Sequence, residues 1–341
     1  MFDGVFDSEN RSAMPAMLDI CTGAGGEALG LERAGFQTEA AVEIDADACQ
    51  TLRVNRPSWR IIEGDIRDLN GLDYRGIDLL AGGVPCPPFT IAGKQLGADD
   101  ERDLFPEALR LLEQARPTAV MLENVPGFAS TRFAAYRNDL IMKITRLGYA
   151  VDWRILNASY YGVAQLRPRF ILVALRPYYF ERFVWPQPQR SLATVSLSIG
   201  DLMAERNWPG VPRWHRQANG IAPTLVGGSK KHGGPDLGPT RARKQWELLG
   251  VDGRGIADRP PGPDFPVDGL PRLTLRMVAR LQAFPDDWIF TGGKTAAYRQ
   301  IGNALPPPVA QAVGCSLLAA LSGRQSAQMS AQTRFYQPTL L

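Results

Sequence analysis

The sequence predicts an α/β protein: a doubly wound, mainly parallel sheet with a second, smaller, loop-rich domain. Three observations predict it. Short apolar runs alternate with helix-like stretches of about ten residues through the first half of the chain, the pattern of strands covered by crossover helices. A glycine turn, Gly23-Ala24-Gly25-Gly26, follows the first apolar run, where such folds bring backbone close to a ligand. From about residue 183 to 272 the chain is crowded with Pro, Gly, Trp and Arg and keeps no sustained strand or helix period, which marks a separate unit.

The elements follow in order. Ala16–Ile20 reads as a buried strand, 27–34 as a helix stopped by Gly35, and 38–42 as the next strand. A helix over 46–53 ends before Pro57, and 60–62 is a short strand. A strand at 77–81, a loop, a helix at 104–115 and a strand at 119–122 repeat the unit. A helix over 137–147 precedes strands at 149–156 and 170–175. Beyond the irregular region, 275–283 reads as a helix and 306–320 as a last helix begun by prolines. This gives one domain over 14–182, a second over 183–272, and a return to the first over 273–322, with flexible ends at 1–13 and 323–341.

Composition narrows the class. With 341 residues, 45% apolar and 21% charged, the chain suits two globular domains rather than disorder. Four cysteines without a CxxC spacing and only two histidines argue against a disulfide framework and a metal site. The first 15 residues carry acids where a signal peptide needs a basic start, and no apolar run approaches the ~18 residues of a membrane helix. A soluble, reduced, cytoplasmic protein without membrane contact is expected. The net charge of +3 is small, but 206–244 holds eight Lys or Arg against one acid, Asp236. That local excess of +7 leaves the rest of the chain at −4 and points to a polyanionic partner.

Four pieces carry candidate chemistry. Asp19, Gly23 and Gly25 form the turn after the first strand, Glu43 ends the second, and Asp65 and Ile66 follow the third. Acids at those offsets suit ribose hydroxyls and an adenine amino group, of NAD as readily as of S-adenosylmethionine. Cys86 stands in Gly82-Gly83-Val84-Pro85-Cys86-Pro87-Pro88-Phe89-Thr90, a loop too rich in proline for core, at a strand's carboxyl end. Cys21, Cys49 and Cys315 lie in or beside apolar runs and read as packing residues. The neighbouring strand ends in Glu123-Asn124-Val125, facing the same crevice, and Gln165-Leu166-Arg167-Pro168-Arg169 adds an anion clamp to that edge.

These motifs, in this order, resemble those of the DNA cytosine-5 methyltransferases: DICTGAGG, VEID, GDI, GGVPCPPFT, ENV, QLRPR, then RLTLRMVARLQAFPDDW and QIGNALPPP. The resemblance spans about 15–176 and 272–315 and implies an S-adenosylmethionine-dependent methyltransferase fold, with the intervening segment as target-recognition domain. It implies Cys86 as the nucleophile toward carbon 6 of a flipped-out cytosine, Glu123 as the carboxyl group at the ring, and Arg167 and Arg169 as arginines steadying base and backbone. Asp19, Gly23, Gly25, Glu43, Ile44, Asp65, Ile66 and Asn303 fall on cofactor-binding positions, with S-adenosylhomocysteine as product and no metal. Thr224-Leu225 resembles the family's recognition-domain pair. Lys230 and Lys231 are candidates for phosphate contacts and Arg241 and Arg243 for base contacts. The implied partner is double-stranded DNA, approached by a monomer, with a cognate restriction endonuclease acting separately if present. Three positions depart from the pattern: Cys21 replaces an aromatic, Pro87 follows the nucleophile, and Met277 replaces a glutamate. Three rivals stay open: a tRNA cytosine-5 methyltransferase, a catalytically dead DNA-binding relative, and an NAD-dependent dehydrogenase sharing only the glycine turn.

Overall fold

In a computed structural model, residues 14–85, 103–189, 193–228 and 234–323 are described. The elements in chain order are β1 (Ala16–Ile20), α1 (Gly26–Ala34), β2 (Gln37–Glu43), α2 (Ala46–Asn55), β3 (Ile61–Glu63), β4 (Leu79–Gly82), α3 (Phe105–Ala115), β5 (Ala119–Asn124) and α4 (Ala134–Arg146). They continue with β6 (Ala150–Asn157), β7 (Pro168–Leu175), α5 (Pro177–Phe180), α6 (Val195–Ala204), α7 (Val211–Gln217), α8 (Thr240–Leu248), α9 (Leu275–Leu281), α10 (Lys294–Asn303) and α11 (Pro307–Ser322). One seven-stranded sheet runs β3-β2-β1-β4-β5-β7-β6. Its first five strands are mutually parallel, and β7 is antiparallel to both β5 and β6. The chain leaves β1 for β2 on one side and returns to β4 on the other. That reversal opens a crevice at the carboxyl ends of β1 and β4.

Both faces of the sheet are covered, which is why its strands read as continuous apolar runs. Met17, Leu79 and Met121 face a core shared with α1 and α11, whereas Leu18, Leu80 and Val120 face one shared with α3 and α4. The close approach of α1 and α11 depends on absent side chains. A Cβ on Gly30 would lie 2.3 Å from the Pro307 carbonyl and 2.6 Å from the Ala310 methyl, and one on Gly26 2.3 Å from the Leu305 carbonyl. Gly30→Ala should therefore destabilise the protein by about 1–3 kcal/mol through overpacking, despite alanine's better helix propensity. A melting temperature equal to or above wild type would refute that packing argument. Residues 294–322 form a pair of helices interrupted at 304–306, with Val309, Val313 and Leu317 of the second buried in the α1 core.

Most of the described residues in 183–272 lie outside helices and strands, but the stretch is not without helices. It contains α6, α7 and α8, and Trp208, Trp214 and Trp246 are 3%, 2% and 0% exposed. These rings pack with Ile199, Leu225, Leu273, Tyr298 and Ile301 in a third core, which Leu29 and Ala164 join from the sheet's side. The helices escape pattern reading for identifiable reasons. Pro212 sits in the first turn of α7, where its missing N–H costs nothing, and so starts a helix rather than breaking one. Trp246 is the one buried residue of α8, so that helix has no apolar stripe to detect. The polar α10, Lys-Thr-Ala-Ala-Tyr-Arg-Gln-Ile-Gly-Asn, is likewise an addition to the elements expected from sequence.

Candidate active site

The crevice is built on the turn after β1. Gly23 and Gly25 adopt φ of 57° and 85°, and Cys21, unusually for a residue with a side chain, adopts 53°. This left-handed backbone aims the turn's amides toward β2. Glu43, at the end of β2, accepts from Gly23 N at 2.7 Å, Ile44 N at 2.9 Å and Asp45 N at 2.8 Å. Three of roughly four acceptor positions on its carboxylate are thus occupied in holding turn and strand together. Ile44 is 67% exposed beside it. Asp65 caps the turn that follows β3 and pairs with Arg67 at 2.8 Å, while Ile66 is buried in the α3 core. Asn303, at the end of α10, donates to the Gly228 carbonyl at 3.1 Å.

A cavity of about 240 Å³ lies between these elements, lined by 21–24, Gly26, Glu27, Glu43, Asp45, Gly83, Glu123 and Asn303 among others. Asp65, Ile66 and Ile44 are not among its lining residues. Beneath the turn, Asp19 and Glu27 are 0% and 5% exposed, and no cationic side chain among the described residues pairs with either carboxyl group. Burial pushes both groups well above the usual carboxyl range; Glu43 adds to the effect on Asp19, and Asp19 and Glu123 to that on Glu27. An isolated buried carboxylate costs several kcal/mol unless paired. Burial therefore favours the protonated form of both groups, and a positively charged ligand beside them is what would favour the ionised form. S-adenosylmethionine, with a sulfonium and an ammonium group, is such a ligand.

The opposite wall carries the candidate catalytic groups. Glu123, near the end of β5, forms a 2.8 Å ion pair with Arg169 on β7, with side chains 12% and 9% exposed. The antiparallel pairing of β5 and β7 sets Glu123 opposite Ile171, which brings Arg169 alongside it. Burial raises the Glu123 carboxyl above its ordinary range, and the guanidinium groups of Arg169 and Arg167 pull it back. Asn124 Nδ2 donates to the Val84 carbonyl at 2.8 Å and so fixes the chain as it leaves β4 toward the proline-framed loop. Cys86 lies outside the described residues, as do Lys230 and Lys231.

Arg167 is not placed to meet a base or phosphate directly. It is fully buried, and its guanidinium donates to the carbonyls of Leu225 at 2.5 Å, Gly302 at 2.7 Å and Ala304 at 2.9 Å. It braces the start of β7 against the 222–228 segment and the α10–α11 junction. Gln165 completes the brace: its Oε1 accepts from Leu225 N at 2.9 Å and its Nε2 donates to Gln282 Oε1 at 2.6 Å. Sequence reasoning missed Gln165, Asn124 and Glu27 as site residues. For Glu27 a signal existed, because an acid directly after the glycine turn begins a helix whose next four residues are all small or apolar. Among the DNA-facing candidates, Thr224 Oγ1 donates to the Leu166 carbonyl at 2.6 Å. Arg243 is tied to Asp236 at 3.1 Å and to the Gly238 carbonyl at 2.8 Å, whereas Arg241 on α8 is exposed.

Sheet order, glycine turn and the crevice at the carboxyl ends of β1 and β4 together define a doubly wound α/β protein of the S-adenosylmethionine-dependent methyltransferase fold. The C-5 cytosine-specific DNA methylase family model matches residues 16–319, and the chain belongs to that family: it is a DNA (cytosine-5) methyltransferase. It is 54% identical over 310 residues to the Type II methyltransferase M.NaeI of Lentzea aerocolonigenes, covering 90% of this chain and 75% of that one. It is 53% identical over 308 residues to the Type II methyltransferase M.NgoMIV of Neisseria gonorrhoeae, covering 89% and 97%. Among solved structures, the Dnmt2 methyltransferase of S. pombe superposes with a TM-score of 0.61 over 90% of this chain and 99% of its own, at 18% identity.

Proposed function

We propose that this enzyme transfers a methyl group from S-adenosylmethionine to carbon 5 of a flipped-out cytosine in a specific sequence of double-stranded DNA, through a covalent bond to Cys86. The observation that carries the reading is the buried Glu123–Arg169 pair, with Glu123 on the strand paired to β4 and across the cavity from the glycine turn. The target atom is unreachable inside a duplex, so the base must rotate into this crevice. Carbon 5 of cytosine is a poor nucleophile. The Cys86 thiolate adds to carbon 6, and the electron pair of the carbon 5–carbon 6 bond becomes available at carbon 5. Glu123 holds a proton at ring nitrogen 3, which draws electrons toward the ring and favours the addition. S-adenosylmethionine, when bound, supplies the methyl group. Loss of the proton from carbon 5 then breaks the carbon–sulfur bond and frees Cys86. Gly23, Glu43 and Asn303 line the cofactor side of the cavity, Asp19 and Gly25 shape its turn, Ile44, Asp65 and Ile66 extend the cofactor side beyond it, and Arg169 holds Glu123 in place.

In this reading residues 14–182 and 273–322 carry the chemistry and 183–272 reads the target, with Thr224 at their junction. The names of the Type II relatives favour a cytoplasmic restriction–modification setting, in which a cognate endonuclease acts separately and the methyltransferase works as a monomer. Bisulfite sequencing of host DNA after expression tests activity and target together. A parallel assay on total tRNA decides against the DNA reading if methyl groups appear there and not in duplex DNA.

The basic segment yields a graded expectation. Replacing Lys230 and Lys231 with Ala should weaken target and non-target duplexes alike, and the slope of the salt dependence should fall by roughly one unit for each phosphate no longer neutralised. Arg241→Ala should instead cost about 1–3 kcal/mol of discrimination at one position of the target. Arg243→Ala, which frees Asp236, should act through stability. Unchanged affinity and slope over a salt series in the lysine double variant would place the DNA surface elsewhere.

A further inference from the structure

Glu27 is a buried ionisable group with no part in the methyl-transfer steps. It occupies the first turn of α1, is 5% exposed, and lines the cavity with no cationic side chain among the described residues paired to it. An exposed glutamate in a helix's first turn gains from the helix dipole, but that gain is far smaller than the cost of desolvating a carboxylate. Packing does not explain the residue either, since Ala28, Leu29 and Leu31 complete the buried face of α1 without it. Its location within the cavity is specific. A Cβ on Gly83 would lie 3.4 Å from Glu123 Oε2 and 4.0 Å from Glu27 Oε2. The two carboxyl groups thus converge on one glycine, at the boundary between the cofactor side and the target-base side. The methyl group in transit has to occupy that boundary, and with it the positively charged sulfur.

We propose that Glu27 reads the sulfonium charge of the cofactor, holding S-adenosylmethionine in preference to the uncharged thioether product. This rests on S-adenosylmethionine being the cofactor and extends its site to a residue of this chain outside the family motifs. Asp19, the Gly82 amide, Glu123 and, behind Glu123, Arg169 are the charged and polar groups around it. None of the acids neutralises Glu27, and Arg169 is already committed to Glu123. The sulfonium is the part of the ligand that loses its charge in the reaction. After transfer Glu27 is again without a cation beside it and takes up a proton, and the product is held less tightly. Selection of fresh cofactor and release of spent cofactor then have the same origin.

The test is titration calorimetry on the full-length enzyme without DNA, so that no turnover occurs. The ligands are S-adenosylmethionine, S-adenosylhomocysteine and sinefungin, which carries an amine in place of the sulfonium. Wild type should bind all three, with the two cationic ligands preferred. Glu27→Gln keeps the shape and removes the charge; it should weaken both cationic ligands about tenfold or more and change the thioether less than about twofold. Glu27→Leu, a second neutral variant, should show the same selective loss, and thermal melts of both apo variants establish that they are folded. Equal weakening of all three ligands, or no weakening of any, by folded variants would overturn the assignment of Glu27. Failure of wild type to bind any of the three would instead overturn the cofactor reading itself.

Discussion

Cys86→Ser is expected to abolish methyl transfer while leaving DNA and cofactor binding within about threefold of wild type. The argument is one of nucleophilicity: the attacking species is a thiolate, accessible near neutral pH because a free thiol titrates at about 8.5, whereas a serine hydroxyl stays protonated. The described residues leading to the loop suit this role. β4 is buried throughout, and Asn124 holds the Val84 carbonyl. The chain then emerges at the exposed Pro85, one residue before the cysteine. A duplex carrying 5-fluorocytosine at the target gives the sharper readout, because fluorine cannot leave carbon 5 as a proton does and the carbon–sulfur bond persists. Wild type with S-adenosylmethionine should form an adduct that survives denaturing electrophoresis, and Cys86→Ser should form none. An adduct or normal turnover with serine at position 86 would end the assignment of Cys86.

The strands of the sheet are readable from sequence because both sheet faces are buried, which forces apolar runs such as Met17-Leu18 and Ile171-Leu172-Val173 irrespective of register. The glycine turn is readable for a related reason, since close backbone approach leaves room for little else. The third core is not readable. Three of its four tryptophans, Trp208, Trp214 and Trp246, are single residues on separate short segments, and their burial depends on partners such as Leu29, Tyr298 and Ile301 far away in sequence. Hence tryptophans that in sequence belong to an irregular, proline- and glycine-rich stretch turn out to be core. Arg167 shows the same limit at the level of a single side chain. Its position in QLRPR marks it as important, but only the tertiary fold reveals that it meets three backbone carbonyls rather than a ligand. Glu27 differs again: the fold makes it conspicuous, whereas its one mark in sequence is its place directly after the glycine turn.

Glu123→Gln is expected to slow single-turnover methyl transfer by about 10²–10⁴-fold, the range for a positioned acid–base group, with little change in cofactor affinity. The amide retains an oxygen facing Arg169, so the buried guanidinium keeps an acceptor and the fold should survive. What it loses is a transferable proton, and this produces a pH signature. Burial raises the Glu123 carboxyl even against the pull of Arg169 and Arg167, so the protonated form persists above the usual carboxylate range. In wild type, the contribution of that proton is fully present below the raised value and declines as pH rises through it. The thiolate fraction of Cys86 changes in the opposite sense, increasing toward high pH. The wild-type single-turnover rate should therefore pass through a maximum. In Glu123→Gln the decline caused by carboxyl deprotonation should be missing, leaving a lower rate that rises with thiolate formation until it levels off. A variant rate within about threefold of wild type, far short of the 10²–10⁴-fold expected, would show that Glu123 does not engage the ring. A strongly reduced rate that kept the wild-type high-pH decline would assign that titration to another group and leave Glu123 a structural partner of Arg169.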